Sequence, residues 1–388
     1  MSGYAQLDVM YDIRGRNPNV EGVDFAAQAA VVPINNGYES KQKQNQLYLT
    51  ARTSRLGVST NTETSLANIG VKIEGDFNAG NLLGSQTFTN SVLFRLRHAY
   101  GTLSGQYGTL LVGQSWSTFL DLPSYAETVD FNGSGDISLI RQPQARYTFP
   151  LPKRFVVALA AENSPGTDQT GITDAGRPTQ RLQSIPDLIA VVGASGGWGS
   201  ASVGAVTLQY KNAALPNTPT GPGSESYAKQ GWGLRAALAL KLPWGDTFRG
   251  YVAGGNGIGR YILNVGAAGQ GASVNPAGDD FILWKAMAYH VNYTHVWSPM
   301  FRSNVTFSQT FLANNHTVIY TGDTANVNNL NSRIEQLFVN TYFTLSKQVE
   351  FGLEYMFNNR HTFGPDSDPS GTTGTQHRVS TSAHFNFF

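Results

Sequence analysis

The sequence predicts an all-β protein: a 16-stranded antiparallel transmembrane β-barrel whose third long connection folds inward. Three observations predict it. Of 388 residues, 42 are glycine and 11 % are aromatic, but only 14 % are charged. That balance suits many strands with glycine-marked turns and aromatic belts better than a helical or α/β enzyme. Short and long connections alternate along the whole chain. Charged residues keep to one face of the strands. No run of 18 apolar residues exists, and the longest of note, Phe155–Ala161, is far too short for a membrane helix. The slightly negative mean hydropathy is compatible with a barrel, whose strands average an apolar face with a polar one.

The elements follow in order. Tyr4–Arg14 runs into a long polar stretch ending near Asn45, and Gln46–Arg55 leads to a short turn at Asn61–Thr62. Leu66–Phe77 precedes a Gly/Asn/Ser loop, and Val92–Leu103 precedes the short turn Ser104–Gly108. Leu110–Trp116 is followed by a long segment to Ile140, and Gln142–Phe149 by the short Pro150–Lys153. Phe155–Glu162 leads to a long loop ending at Pro186, and Asp187–Val192 to the short Gly193–Gly197. Trp198–Lys211 precedes a Pro/Gly/Ser loop, and Gly231–Leu242 the short Pro243–Gly245. Thr247–Ala253 precedes a Gly-rich loop, and Phe281–Trp297 the short Ser298–Pro299. Phe301–Phe311 precedes an Asn-rich loop over 313–333, and Gln336–Leu345 the short Ser346–Lys347. A strand starting near Val349 includes Gly352–Phe357; after the loop 361–376, Gln376–Phe388 closes the chain. The pattern gives sixteen strands, eight long loops and seven short turns in one domain, 1–388. Outer-membrane barrels have this anatomy, with the short turns and both termini on the periplasmic side.

Parity supports the same reading. Ala5, Leu7, Val9, Tyr11 and Ile13 share one strand face, and Gln6, Asp8, Asp12 and Arg14 the other. Trp232, Leu234, Ala236, Leu238 and Leu240 oppose Arg235 and Lys241. Phe301, Val305, Phe307 and Phe311 oppose Arg302, Asn304 and Thr306, while Phe351, Leu353, Tyr355 and Phe357 oppose Glu350 and Glu354. A charge facing lipid at the bilayer midplane costs about 2–4 kcal/mol, which is why the apolar faces carry none. Lys285 is an exception near a strand end, where it can snorkel. The other face is polar, so the interior is expected to hold water and not a packed core. Trp198, Trp244, Trp297, Tyr107 and Phe149 sit at or beside short turns, as an interfacial girdle requires.

Other classes fit poorly. A net charge of +1 argues against nucleic acid, and zero cysteines removes thiolate chemistry and Cys-type zinc sites. The chain opens without a basic n-region or an apolar h-region, and reads as a mature or re-engineered chain from which an export signal was removed. Gly193–Gly197 fits G-x-S-x-G, but a nucleophile elbow needs a helix next and Trp198–Lys211 reads as a strand. Gly255, Gly257 and Gly259 lack a βαβ context, and His290 and His295 are five apart and cannot share a strand face. No enzyme, cofactor or metal is expected.

The third long connection, Ser117–Ile140, carries Asp121, Glu127, Asp130 and Asp136, together with Tyr125, and no basic residue. The strands nearest it in sequence are basic on their polar face at Arg14, Arg52, Lys72, Arg95, Arg97 and Arg146; Arg235 and Arg302 add to the inner wall. An acidic segment facing a basic wall would set a transverse field across a narrowed pore. Alternatively, these charges pair with Glu74, Asp8 and Asp12 and merely keep the lumen wet. The 18 Arg against 9 Lys favour carboxylate recognition, since the guanidinium fork matches a carboxylate. The expected function is passive diffusion of small, preferentially anionic solutes. A general pore with little charge preference, a barrel enzyme and a plugged adhesin barrel are the alternatives.

The strings FRLRHAYGTL at 94–103, LLVGQSWSTF at 110–119, ETVDFNG at 127–133 and RQPQARYTF at 141–149 resemble the DcaP-like family of trimeric outer-membrane porins, and GLEYMF at 352–357 agrees. The resemblance implies a 16-stranded homotrimer that sits among outer-membrane lipid and lipopolysaccharide. It also implies passage of small anions, notably dicarboxylates, and admission of anionic β-lactam-type drugs. Two features depart from the family: no heptads precede Tyr4, and Phe388 is out of register with Val379, Ala383, Phe385 and Phe387.

Overall fold

The computed structural model describes residues 1–15, 26–34, 44–78, 92–163, 172–173, 182–213, 225–275, 277, 279–313, 330–364 and 372–387. Its strands are β1 (Ser2–Arg14), β2 (Gln46–Thr50 and Arg55–Glu63), β3 (Asn68–Asp76), β4 (Arg95–Gly105), β5 (Gly108–Trp116) and β6 (Arg141–Leu151). They continue as β7 (Phe155–Glu162), β8 (Asp187–Gly196), β9 (Gly199–Asn212), β10 (Tyr227–Lys241) and β11 (Thr247–Asn256). The last five are β12 (Lys285–Ser298), β13 (Phe301–Leu312), β14 (Asn331–Thr344), β15 (Val349–Thr362) and β16 (Thr373–Asn386). Each pairs antiparallel with its sequence neighbour, and β16 returns to β1 with Ala5 opposite Phe385 and Asp8 opposite Ser382. The sheet is therefore a closed 16-strand barrel. Closure leaves no edge along the wall, so the backbone ladder is satisfied without water.

Burial is inverted relative to a water-soluble core. Leu353 is 50 % exposed while its neighbour Glu354 is 1 % exposed, and the same alternation runs through most strands. The outer face carries Leu7, Leu49, Val203, Leu234, Val305 and Leu353. The inner face buries Asp12, Arg97, Asn304, Asn358 and Arg378, each held by a polar partner: Asp12 by Arg378, Arg97 by Asp76, Asn304 by Asn340 and Asn358 by Gln376. Parity read from sequence holds in these strands because the bilayer tolerates apolar side chains on one face only.

Three local expectations are corrected. Asn61 and Thr62 pair with Gly70 and Ile69 inside the ladder, and the turn lies at Thr64–Ala67, closed by Thr64 N–H on the Ala67 carbonyl at 3.1 Å. A polar run was read as a turn although threonine suits a strand. Second, β2 is interrupted at residues 51–54, where Arg52 gives its carbonyl to Phe77 N–H. Third, the β1–β16 register slips between Asp12 and Arg14, so Asp12 faces Arg378 but Arg14 faces His377. His377 lies on the outer side with Tyr355, and the bulge turns Arg14 to that side. Phe388 lies outside the described residues.

The interior is not uniformly polar. On strands β7–β12 the inward residues Ala158, Ala160, Ile189, Val191, Val206 and Leu208 join a buried apolar cluster. The segment between β11 and β12 fills it with Ile258, Tyr261, Ile262, Val265, Phe281 and Trp284, and Phe119 and Ile137 pack on top. Runs such as Phe155–Ala161 are apolar on both faces, a pattern that alternation alone does not resolve. The expectation of a wholly wet lumen fails on this side, and open space lies toward β1–β6.

The fold makes a direct prediction for stability. Val305→Lys places a charge on the outer face and is expected to cost about 2–4 kcal/mol if it lies near the midplane. Thr148→Lys, on the inner wall, should cost much less. Unfolding of the vesicle-inserted barrel in denaturant, followed by tryptophan fluorescence, checks the difference.

Candidate functional site

The segment Ser117–Ile140 lies against the inner wall, and its neck is closed by Ser117 N–H on the Ile140 carbonyl at 2.9 Å. Its sequence, broken by Pro123, Gly133 and Gly135, offers no strand pattern, so its backbone donors must find other acceptors. Glu354 of β15 accepts Val129 N–H at 2.8 Å and Asp130 N–H at 2.9 Å, and its carboxylate is steadied by the Asn340 amide at 2.9 Å. Gln336 of β14 accepts Gly135 N–H at 2.8 Å. Gly135 is required there: a Cβ would come within 2.1 Å of Asn264 Oδ1. His290 of β12 places Nδ1 2.6 Å from Asp136 Oδ2 and Nε2 2.8 Å from the Ser124 carbonyl. That carbonyl only accepts, which puts a proton on Nε2.

The acidic side chains of this segment face anchors on the far wall. Asp121 takes the Ser202 hydroxyl at 2.5 Å and lies 3.7 Å from Arg235. Glu127 binds Arg302 at 2.5 Å, where Glu350 also binds at 2.7 Å. Asp130 lies 3.6 Å from Arg378, whose fork is held by Asp12. Asp136 holds His290. Tyr125 is packed among them, and burial pushes its phenol above the usual tyrosine range. The acids are thus held by groups of the barrel side that carries β9–β16, while Asp130 and Asp121 also border the hollows lined by the basic wall.

The basic wall stands on β2–β6. Arg95 engages Asp76 through two bonds of 2.9 Å, and Arg97 bridges Asp76 at 2.7 Å and Glu74 at 3.0 Å. A bulge between Glu74 and Gly75 brings His98 inward beside Arg97. Lys72 reaches Glu74 at 2.9 Å and Arg55 lies 3.5 Å from it. Arg141 lies over the Trp116 ring, 4.5 Å from its centroid, and Arg97 lies over the same ring at 5.6 Å. Of six cations here, four, Arg55, Lys72, Arg95 and Arg97, share just two carboxylates, Glu74 and Asp76, and Arg141 and Arg146 form no ion pair among the described residues.

Two hollows border this wall. One of about 560 Å³ is lined by Arg55, Arg95, Arg97 and Arg141 together with Tyr125 and Phe131 of the segment. The other, about 610 Å³, is lined by Arg55, Lys72, His98, Arg146, Arg154 and Arg235. Arg55, Trp116 and Leu122 border both.

Of the residues singled out from sequence, Lys72, Arg95, Arg97, Arg146 and Arg235 border the hollows. Arg302 is engaged by Glu127 and Glu350, Arg52 lies over Tyr48 at 5.9 Å in the break of β2, and Arg14 faces outward. Arg55, Trp116 and Arg141 were missed. Arg141 has the opposite parity to Gln142, Gln144 and Arg146, yet at the end of the strand it lines the lumen together with its register partner Trp116.

A family model described as DcaP outer membrane protein matches residues 1–173. Among solved structures, the outer membrane channel DcaP of Acinetobacter baumannii is 25 % identical with a TM-score of 0.76, covering 100 % of this chain and 96 % of that one. An anion-selective porin from Comamonas acidovorans is 13 % identical with a TM-score of 0.58, covering 100 % and 98 %. The trimer form of OmpT from Vibrio cholerae is 12 % identical with a TM-score of 0.57, covering 99 % and 98 %. No curated protein sequence matches the chain. The resemblance found in the sequence is borne out over residues 1–173, and the barrel has the fold of outer-membrane porins.

Removing the Glu354 carboxylate should release the segment. Glu354→Ala leaves two backbone donors and the Asn340 amide without their acceptor, at a cost of about 2–5 kcal/mol. Faster proteolysis within 126–134 and noisier, larger single-channel currents are expected, with Glu354→Gln intermediate.

Proposed function

We propose that the protein is an outer-membrane porin through which small hydrophilic solutes, anions foremost, diffuse passively. Segment 117–140 narrows the passage and the β2–β6 wall selects. The observation that carries this reading is the unequal balance of charge: six wall cations stand against two paired carboxylates, Glu74 and Asp76, while Asp121 and Glu127 of the segment are engaged elsewhere. Low-dielectric walls focus this surplus into the open space, where it concentrates anions and repels cations. Release stays easy, because Arg95 and Arg97 are partly neutralised by Asp76 and hold no deep trap.

The similar structures, an outer membrane channel, an anion-selective porin and the trimer form of an outer membrane protein, agree with this reading. The solute class is small carboxylates, dicarboxylates and anionic β-lactam-type drugs included. A homotrimer embedded among lipid and lipopolysaccharide, with periplasmic termini, is part of the same proposal.

Reversal potential in a planar bilayer under a KCl gradient tests it. Chloride should permeate severalfold better than potassium. Replacing Arg55, Lys72 and Arg146 together by Gln should bring the ratio toward unity. A wild-type channel without preference would instead make this a general porin.

A further inference from the structure

We infer that Arg141 is the specificity-determining residue of the passage, the guanidinium that takes one carboxylate of the permeating anion. The inference rests on the anion-porin reading above and deepens it. Four lumen arginines that sequence parity assigns to the inner wall are already engaged. Arg95 and Arg97 hold Asp76 and Glu74, Arg302 holds Glu127 and Glu350, and Arg235 donates to Ser202 at 2.6 Å beside Asp121. Arg141 differs. Among the described residues no carboxylate lies within ion-pair distance of it, and its Nη1 is buried without an acceptor.

Its setting explains why the charge stays unpaired. Trp116 lies under the guanidinium at 4.5 Å and fixes its plane, leaving the edge that a carboxylate meets in a fork. The neighbouring Arg55, Arg95 and Arg97 line the same hollow of about 560 Å³ and repel further cations. A carboxylate entering there gains a partner that no protein group supplies. Asp130 and Glu350 border the same hollow, and their repulsion keeps the hold shallow enough for release.

The onward step has a geometric limit. The side chain of Arg146, the next wall arginine on β6, also forms no hydrogen bond or ion pair among the described residues, and it borders the second hollow. It lies five residues farther along the strand, about 17 Å by strand rise. A short dicarboxylate does not span that separation, so each arginine reads one carboxylate at a time, with Arg55 bordering both hollows between them. The site therefore takes monocarboxylates as well as dicarboxylates.

The test uses the full-length protein in planar bilayers, with reversal potential under a KCl gradient and single-channel block by sodium propionate and sodium succinate. Wild type should be anion-selective and blocked by both. Arg141→Gln should lower the chloride-to-potassium ratio severalfold and weaken both blocks by about tenfold. Arg95→Gln should change either by less than twofold, because Asp76 already neutralises much of its charge. Arg141→Lys, which keeps the charge without the fork, should retain most selectivity but lose block. A wild type lacking anion preference would sink the anion-selective reading on which the inference rests. An anion-selective wild type with Arg141→Gln indistinguishable from it would overturn only the role of Arg141, as would propionate failing to block while succinate does. Heat-modifiable electrophoretic mobility reports folding; should the Gln variant not fold, undiminished block in Arg141→Lys overturns the assignment.

Discussion

Two backbone donors of the inward segment, on Val129 and Asp130, end on one carboxylate that projects from β15 into the barrel. Glu354 is 1 % exposed, so this arrangement exists only because the segment and Asn340 replace the water it would otherwise need. From that contact the rest of the lumen follows. Seating the segment on β15 draws Glu127 to Arg302, Asp130 toward Arg378 and Asp136 to His290. The acids are thereby engaged away from the β2–β6 cations, none of which forms an ion pair with them among the described residues, and that wall keeps its surplus of positive charge.

The second in-folded segment completes the geometry. Leu263 N–H meets the Ile137 carbonyl at 3.2 Å and Asn264 N–H meets the Gly135 carbonyl at 2.8 Å, so the two segments brace each other. The apolar cluster behind them occupies the β7–β12 side of the interior. An apolar fill there and a basic wall opposite leave an off-centre passage bordered by arginine. Such a passage is stiff on one side and charged on the other, which suits selection by field more than by closure.

How much of this was legible in the sequence depends on the constraint involved. The bilayer acts on every strand alike, so the alternation of Leu353 with Glu354, or of Val305 with Asn304, gives the barrel and its sixteen strands directly. Local exceptions were not legible. The bulge that turns Arg14 outward depends on its register with β16, far away in the chain. Parity assigns Arg141 outward, and only its place beside Trp116 at the strand end puts it in the lumen. The acids of 117–140 were visible as a cluster, but their partners on β9–β16 are more than 50 residues away and no local pattern announces them. In the same way, Phe155–Ala161 reads equally well as a doubly apolar strand whether lipid or a second segment covers its inner face.

The central claim is that the hollow beneath the inward segment carries a positive field. The chain has no cysteine, so a single one introduced by Asn132→Cys, at a position lining that hollow, is a clean probe. Its rates of modification by anionic and cationic methanethiosulfonates of similar size, each divided by the rate with a free thiol in solution, measure the local potential. The account predicts that the anionic reagent reacts several times faster; equal rates, or a faster cationic reagent, would contradict it.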